Sequence, residues 1–208
     1  WYQNAAQLSG NVSNSFKGTF DGDGHTISGL KIVNISKNLQ NVGLFGVLDG
    51  AVVKNLVIED ARVYGYNHVG ILAGQIKGES VITDVTVEGT AAANTSSGGY
   101  ASDAAVGGLA GKIFGSSSGS RATIENVTAT VNTVNLGATS KTGGIAGEVS
   151  NAYIVDTSVS ATGNNILGRY YVGGIVGAMS SGTSLYNVSV DGTIGGNGAY
   201  AVGGITGY

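Results

Sequence analysis

The sequence of 208 residues contains no cysteine and no proline, and only 11% of its residues are charged. Without cysteine the chain forms neither disulfides nor thiolate metal sites, and the cellular compartment stays open. Without proline, no residue removes a backbone donor from a β-ladder. The low charge, combined with 42% apolar residues, excludes a disordered tail, which needs the opposite balance. The composition therefore predicts a folded chain, and its length suits one domain over residues 1–208.

Long apolar runs and a surplus of positive charge are also missing. No run approaches the roughly 18 apolar residues that span a bilayer, and residues 1–10 lack the charged start and apolar centre of a signal peptide. The formal net charge is −3, and the basic residues are scattered from Lys17 to Arg169. Because nucleic-acid binding depends on a basic surface, the sequence predicts no nucleic-acid partner and no membrane insertion of this segment.

Glycine, by contrast, is abundant, with 37 residues, and it recurs in a box of the form Val-Gly-Gly-Ile-x-Gly. Such glycines beside aliphatic residues predict tight corners at which φ is positive. The copies occupy residues 41–46, 69–74, 106–111, 142–147, 172–177 and 202–207, the first in an altered form. Two of the spacings between copies are long. They contain segments rich in Gly, Ser and Ala near 89–105 and 112–122, which a repeat fold is expected to place in loops.

A second element follows each box except the last, with an aliphatic residue two positions before an Asn or Asp. Further apolar residues stand one and three positions after it, so the apolar parity changes at the polar residue and predicts a corner there. Stacked copies predict a structural ladder of amides, with Asp in place of Asn in alternate copies. This alternation separates the carboxylates, which argues against a row of catalytic acids. The ladder residues are Asn55, Asp84, Asn126, Asp156 and Asn187.

Stacking of the boxes predicts an aliphatic core column. A repeat of about 30 residues, at roughly 3.3 Å per residue, suffices for three short strands, and its Val, Ile, Thr and Gly content disfavours helices. The sequence therefore predicts an all-β parallel solenoid of six to seven coils, right-handed by the usual crossover rule. Residues 1–15 form a cap or lead-in, 16–40 a degenerate first coil, and 41–208 the six box repeats. The column is Leu44, Leu72, Leu109, Ile145, Ile175 and Ile205.

A segment at 16–30, Phe-Lys-Gly-Thr-Phe-Asp-Gly-Asp-Gly-His-Thr-Ile-Ser-Gly-Leu, leads into the boxes. From Phe16 onward the chain resembles the GLUG-repeat proteins of bacterial surfaces, whose repeats also occur in the non-catalytic region of streptococcal immunoglobulin A1 proteases. The resemblance implies an extracellular or cell-surface location and an adhesin-like architecture, and it names no ligand. Neither histidine begins an H-E-x-x-H pattern, so the resemblance does not extend to peptidase activity.

The sequence from Asp21 to His25 resembles part of a calcium-binding loop. A full loop needs further oxygen ligands and a distal glutamate, which the following residues do not supply. A tight glycine turn between strands at 19–20 and 26–27 is the favoured interpretation, with Asp21 and Asp23 kept as weak metal candidates. No serine has a recognisable base or elbow motif, so the sequence predicts no catalytic residue and no cofactor.

Tyrosines supply the candidate binding residues. Tyr66, Tyr170 and Tyr200 stand two or three positions before a box, with Tyr171 and His68 beside them. An aromatic strip of this kind suits a host or microbial glycan or a surface protein. A structural aromatic stack that covers a corner is the alternative.

The function that these patterns favour is a non-catalytic extracellular repeat module of a bacterial surface protein, adhesive or structural. One alternative is a polysaccharide lyase or hydrolase of solenoid fold, which needs acids and bases clustered in one groove. Another is a self-assembling fibre subunit, joined through solenoid ends that expose unpaired strand edges. Both ends look cut, since the chain stops inside a box, which leads us to expect a fragment of a longer protein.

Overall fold

The computed structural model describes residues 14–33, 40–93, 104–116, 119–196 and 198–208, with only the backbone described at 162–164. Within these ranges there are nineteen β-strands and no α-helix. The strands pair in parallel in three sheets, which wind into a solenoid of about five turns with three strands per turn. Residues 1–13 of the predicted lead-in, residues 34–39 of the predicted first coil, and residues 94–103 and 117–118 of the predicted loops lie outside the described residues.

Each full turn consists of a short strand that enters the glycine box, a short strand that leaves it, and one long strand. The sheets are named accordingly. The entry sheet contains β4 (Asn41–Val42), β7 (His68–Val69), β10 (Ala105–Gly107), β13 (Lys141–Gly143), β16 (Tyr171–Gly173) and β19 (Ala201–Gly203). The exit sheet contains β5 (Phe45–Asp49), β8 (Ala73–Lys77), β11 (Ala110–Phe114), β14 (Ala146–Ser150) and β17 (Val176–Met179). The long sheet contains β1 (Thr19–Asp21), β2 (Thr26–Ser28), β3 (Lys31–Val33), β6 (Val52–Gly65), β9 (Val81–Ala93), β12 (Ala122–Asn135), β15 (Ala152–Gly168) and β18 (Ser184–Gly196).

The parallel solenoid and its three strands per turn are confirmed, and the structure has about five turns where the sequence predicted six to seven coils. The strands β1, β2 and β3 all pair with the single strand β6, and Phe16 forms a parallel bridge with Leu48, so the described part of this segment supplies the long strand and one exit-side bridge of a first turn. The third strand of each turn is also not short, since β6 to β18 contain 13 to 17 residues each. Strand β9 continues through Gly89 to Ala93, where the sequence predicted the start of a loop.

Corresponding residues of successive repeats lie directly over one another. The amide of Leu72 donates to the carbonyl of Leu109 at 3.0 Å, and the amide of Leu109 donates to that of Ile145 at 3.0 Å. These residues and Ile175 are fully buried. Leu44 is half-buried and Ile205 is 37% exposed, in contrast to the predicted core column. The reason is physical: a side chain in a solenoid is covered by the turns on both sides of it, and these two residues lie in the outermost boxes.

The polar corners bend the long strands without breaking them. At all five ladder positions the backbone is left-handed, with φ between 48° and 54°. Asn and Asp tolerate this conformation better than other residues with a Cβ, because their side chains bond to the local backbone. One left-handed residue reverses the inward and outward faces of the strand. This accounts for the change of apolar parity in the sequence.

The box glycines serve a different purpose from the one predicted, because none of them lies in the left-handed region. Their role is close backbone approach. A Cβ on Gly107 would lie 2.2 Å from the carbonyl oxygen of Ala110 and 2.4 Å from the Cα of Ala146. A Cβ on Gly144 would lie 2.5 Å from a methyl of Val159 on the long strand. Glycine therefore allows the entry and exit strands, and a valine of the long sheet, to meet without an intervening side chain.

Candidate functional site along the box edge

The glycine boxes bring together the side chains that directly precede and directly follow them. The imidazole Nδ1 of His68 lies 2.9 Å from the Nε2 of Gln75, and Lys141 Nζ donates to Glu148 Oε2 at 3.0 Å, each pair being seven residues apart. We call this row of side chains the box edge. The entry side consists of His68, Ala105, Lys141, Tyr171 and Ala201, which each precede a box, and of Asn41, the first residue of the altered box, which pairs with His68. The residues that follow the boxes are Val47, Gln75, Lys112, Glu148, Ala178 and Tyr208.

The first part of the box edge is a buried polar cluster. His68 is 7% exposed, and its Nδ1 lies 2.9 Å from the Oδ1 of Asn41 as well as from Gln75. Nδ1 donates to Asn41 in one tautomer and accepts from Gln75 in the other. In both tautomers the ring is packed between neighbouring turns. The sequence suggested His68 as a contact for a ligand, but the structure buries its side chain.

The aromatic part lies in the last two turns and consists of four tyrosines, Tyr170, Tyr171, Tyr200 and Tyr208. Tyr170 stacks on Tyr200 with ring centroids 5.1 Å apart, and Tyr171 stacks on Tyr208 at 4.7 Å. The two pairs touch through Tyr170 and Tyr171 at 4.4 Å. Burial and a hydrogen bond with Tyr170 raise the pKa of Tyr171. We refer to these four residues as the tyrosine cluster.

The predicted binding residues are therefore split between two places. His68 and Tyr171 occupy one column of the entry sheet, but strands β10 and β13 lie between them. Three strand spacings separate the two residues by about 14 Å. Tyr66, half-buried two residues before His68, belongs to that earlier turn. Sequence reasoning missed Tyr208, although it follows its box at the position that Gln75 and Glu148 occupy after theirs.

Between these ends lies an ionic cluster that sequence reasoning also missed. Glu148 Oε2 lies 2.9 Å from the ammonium nitrogen of Lys112 and 3.0 Å from that of Lys141. Burial alone would raise the pKa of Glu148, but the two ammonium groups lower it more, so the pKa lies below its ordinary value. Lys141 and Glu148 lie on either side of one box, whereas Lys112 belongs to the neighbouring turn and meets Glu148 only because the turns stack. Spacing within a single repeat could therefore not reveal the whole cluster.

A second carboxylate is held in the same way on the exit sheet. Asp49 lies 3.3 Å from Lys77 and 3.5 Å from Lys17, and it accepts a hydrogen bond from Ser15 at 3.3 Å. Burial acts to raise the pKa of Asp49, and the lysines and Ser15 reverse the effect and lower it. Together the two clusters contain four lysines and two carboxylates. Subtraction leaves these two clusters with a charge of +2 in a chain whose net charge is −3.

An open groove of about 680 Å³ runs over the exit sheet beside these ion pairs. Its charged lining comes from Asp49, Lys77, Lys112 and Glu148. The ring of Phe114 and the polar side chains Gln75, Ser116, Ser150 and Asn151 also line it. Because strands β5, β8, β11 and β14 all contribute, the groove extends across four turns of the solenoid. We call it the lysine groove.

The Asn/Asp ladder lies on the surface of the long sheet, away from the box edge. Asn126 Nδ2 donates to Asp84 Oδ1 at 2.5 Å, and Asn187 donates to Asp156 at the same distance. In the same way Asn55 donates to Asp21 at 3.0 Å, a residue that the sequence had not assigned to the ladder. Alternate Asn and Asp thus form donor–acceptor pairs between neighbouring turns. The ladder is not a stack of equivalent amides.

The turn around Asp23 also has a structural role. The amide of His25 donates to the carbonyl of Gly22 at 2.8 Å, and Asp23 and Gly24 both have positive φ, as in a type I′ turn. The flanking strands β1 and β2 do not pair with each other as a hairpin would, since both run parallel to β6. The turn is therefore an insertion within one edge strand.

The oxygens of Asp21, one of the two weak metal candidates, already have partners. Oδ1 accepts from Asn55 and from the backbone amide of Asp23, and Oδ2 lies 3.1 Å from Lys54 Nζ. The bond from Asn55, followed by those from the Asp23 amide and Lys54, lowers the pKa of Asp21 to about 2. In the part of the chain that the structure describes, no three His, Asp or Glu side chains are grouped as a metal ion would require.

Comparison with known proteins gives one family and one relative. A family model described as the GLUG motif matches residues 102–135, a stretch that includes β10, the box and β11 and ends with β12. Halomucin of Haloquadratum walsbyi (strain DSM 16790 / HBSQ001) is 44% identical over 86 residues, which are 41% of this chain and 1% of halomucin. No solved structure matches. Across the described ranges, no helix is long and apolar enough to cross a membrane.

Proposed function

We propose that this chain, which carries the GLUG motif predicted from its sequence, is a non-catalytic repeat module of a bacterial cell-surface protein that holds binding surfaces at fixed spacing. The observation that carries the proposal is the direct stacking of the turns, in which Leu72, Leu109 and Ile145 form one hydrogen-bonded column. Such stacking gives a stiff body that lengthens by one strand spacing, about 4.8 Å, with each added turn. The similarity to halomucin, of which the matched stretch is only 1%, supports an extracellular module within a much larger protein.

The non-catalytic part of the proposal is supported by the partners of the acidic and basic groups. The ladder carboxylates Asp84 and Asp156 accept hydrogen bonds from asparagines, and Glu148 is held between two lysines. His68 is buried among polar side chains. A lyase or hydrolase needs an acid and a base that can exchange protons with substrate. These groups are instead engaged in contacts between turns.

Surface display is tested on intact cells of the source organism with an antibody raised against this chain. We expect antibody labelling of unpermeabilised cells and its loss after brief treatment with a protease, because a surface module is accessible to both. A cytoplasmic protein probed in the same cells is the control and should resist the protease. Labelling that requires permeabilised cells would contradict the proposed location.

The absence of catalysis is tested by incubating the purified chain with neutral and acidic polysaccharides and measuring new reducing ends. We expect no release above that of a heat-denatured sample. Release that is lost in Glu148→Gln or Asp49→Asn would overturn the non-catalytic assignment, because these two carboxylates line the lysine groove.

An adhesive role is favoured by the tyrosine cluster, since Tyr200 and Tyr208 are 73% and 70% exposed although both are stacked on other rings. Rigid aromatic faces of this kind bind sugar rings and protein surfaces at low entropic cost. On a glycan array, Tyr170→Ala combined with Tyr200→Ala should abolish binding by this surface. The matched control is Tyr153→Ala combined with Tyr186→Ala, since both tyrosines are exposed on the long sheet. Equal effects of the two double variants would remove the tyrosine cluster as the binding surface.

A further inference from the structure

We infer that the lysine groove binds an acidic polysaccharide, with lysine ammonium groups facing its carboxylate or sulfate groups. This inference goes beyond the proposed function, because the groove is a second binding surface apart from the tyrosine cluster. Surface display is tested on cells and the groove on the purified chain, so the two can fail independently.

Charge is the first observation that supports this ligand. The charged lining of the groove is two lysines and two carboxylates, and Lys17 and Lys141, which pair with these carboxylates from outside the lining, bring the charge of the two ion-pair clusters to +2. The field at the groove therefore attracts anions, although the whole molecule repels them at long range. The side chains of Lys77, Lys112 and Lys141 are only 17% to 21% exposed, because the carboxylates fix them in place. A ligand that meets these ammonium groups pays little for ordering them.

The remaining lining is the second observation. Gln75 and Asn151 offer amides, and Ser116 and Ser150 offer hydroxyls, which are suited to the hydroxyl groups of a sugar. Phe114 offers a half-buried ring on which the apolar face of a pyranose can pack. A small anion would use the lysines and leave the amides and the ring without a role. A polysaccharide with charged groups at intervals uses all three.

The shape of the groove favours a polymer over a globular partner. It is built from four successive exit strands, so related positions recur at about 4.8 Å along the solenoid axis. Over successive turns its charged positions are Asp49, Lys77, Lys112 and Glu148, so the two lysines lie on neighbouring turns with a carboxylate on either side. A linear chain can lie along such a row and place its anionic groups at the lysines. A flat protein surface would not enter the groove to the same depth.

The experiment measures binding of the 208-residue chain to immobilised polygalacturonate, dextran sulfate and neutral dextran. We expect binding to one or both acidic polymers and none to dextran, and the acidic polymer that binds identifies carboxylate or sulfate as the preferred group. The affinity should fall steeply from about 0.01 M to 1 M salt, because screening shortens the range of these charges from roughly 30 Å to 3 Å. Lys77→Gln combined with Lys112→Gln should weaken binding about tenfold, since two charge contacts are lost.

Matched variants separate a specific groove from simple ion exchange. Lys31→Gln combined with Lys54→Gln removes the same charge from the long sheet and should leave the affinity within about twofold, as expected for charges outside the site. Glu148→Gln removes one negative charge from the groove and should strengthen binding about threefold. Thermal unfolding of each variant verifies that the groove is still folded.

Three results would overturn the inference. The first is no binding to either acidic polymer at low salt. The second is an equal loss in the groove and control double variants, which means non-specific attraction only. The third is a loss in the Tyr170→Ala, Tyr200→Ala variant without a loss in Lys77→Gln, Lys112→Gln, which would assign the polymer to the tyrosine cluster instead.

Discussion

The central turns and the last turn of the solenoid contain the same kinds of residue in different surroundings. Ile145 and Ile205 occupy the same position of the box, yet Ile145 is fully buried and Ile205 is 37% exposed. A Cβ on Gly144 would lie 2.4 Å from a backbone oxygen of the next turn, whereas a Cβ on Gly204 would meet nothing within 4 Å. Burial and steric constraint therefore come from the neighbouring turn. Matched substitutions in the two regions should measure that contribution directly.

The largest difference is expected for the core column. Ile145→Ala should lower the free energy of unfolding by about 4 kcal/mol, because it opens a cavity between two turns that cannot collapse onto it. Ile205→Ala should cost about 1 kcal/mol, because part of the side chain is already in water. Urea unfolding followed by circular dichroism measures both. Equal losses would mean that neighbouring turns do not provide the burial.

The glycine pair should show the next largest contrast. Gly144→Ala forces a methyl against a backbone oxygen and the side chain of Val159, and it should cost about 3 kcal/mol. In Gly204→Ala the methyl has open space, and the loss of flexibility in the unfolded chain should stabilise the protein by about 0.5 kcal/mol. The difference in denaturation midpoint between the two variants is the readout. A Gly144→Ala protein as stable as the original would refute close backbone approach as the reason for glycine.

The polar corners should show no such difference between the central and last turns, because the constraint on a left-handed residue is local. Asn126→Ala places an ordinary side chain at φ 51° and should cost about 1.5 kcal/mol. Asn187→Ala, at φ 49° in the last long strand, should cost about the same. Asn126→Gly is the control, since glycine accepts this φ and the variant loses only the bond to Asp84, worth about 0.5 kcal/mol. A much smaller loss in Asn187→Ala would show that the corner also depends on neighbouring turns.

The smallest expected effect concerns Asp21 at the opposite edge of the long sheet. Its pKa falls from 3.8 to about 2 on folding, so the ionised form stabilises the folded state above about pH 4. That contribution is lost as the pH falls from about 4 to 2. The free energy of unfolding of Asp21→Asn should therefore change less than that of the original protein as the pH falls through this range. In an NMR titration, an Asp21 midpoint near 3.8 would contradict the bond from Asn55, and Asn55→Gly should move the midpoint toward that value.

Most of the fold could be predicted because residues with the same structural role recur at the same positions of each repeat. The parity change at Asn126 revealed a bend, and the recurrence of aliphatic residues such as Leu109 and Ile145 revealed the stacking. The reason for the box glycines could not be read in the same way. Positive φ and close backbone approach both select glycine, and only the positions of the surrounding backbone atoms tell them apart.

The candidate site was only partly predictable, because it depends on which turns are neighbours. The sequence singled out Tyr170, Tyr171 and Tyr200 because they precede boxes, and it grouped His68 with them for the same reason, although the structure places His68 in a separate buried cluster. The meeting of Lys112, Lys141 and Glu148 depends on contact between two adjacent turns and across a box. Asp21 was singled out only as a weak metal candidate, and its place in the ladder was missed because the inserted turn after it disrupts the spacing of the repeat. A comparison of the residues at equal distances before and after each box would have found Tyr208 and Glu148.

The most direct test of the stacked turns uses the absence of cysteine from the chain. Thr128 and Ser158 lie opposite each other on β12 and β15, with their hydroxyl oxygens 3.4 Å apart. At a strand spacing of about 4.8 Å, the pair Thr128→Cys, Ser158→Cys should form an intramolecular disulfide readily under mild oxidation. The pair Thr128→Cys, Ser160→Cys, displaced by two residues to about 8 Å, should not. Efficient cross-linking of the displaced pair, with none in the aligned pair, would contradict the register on which the solenoid depends.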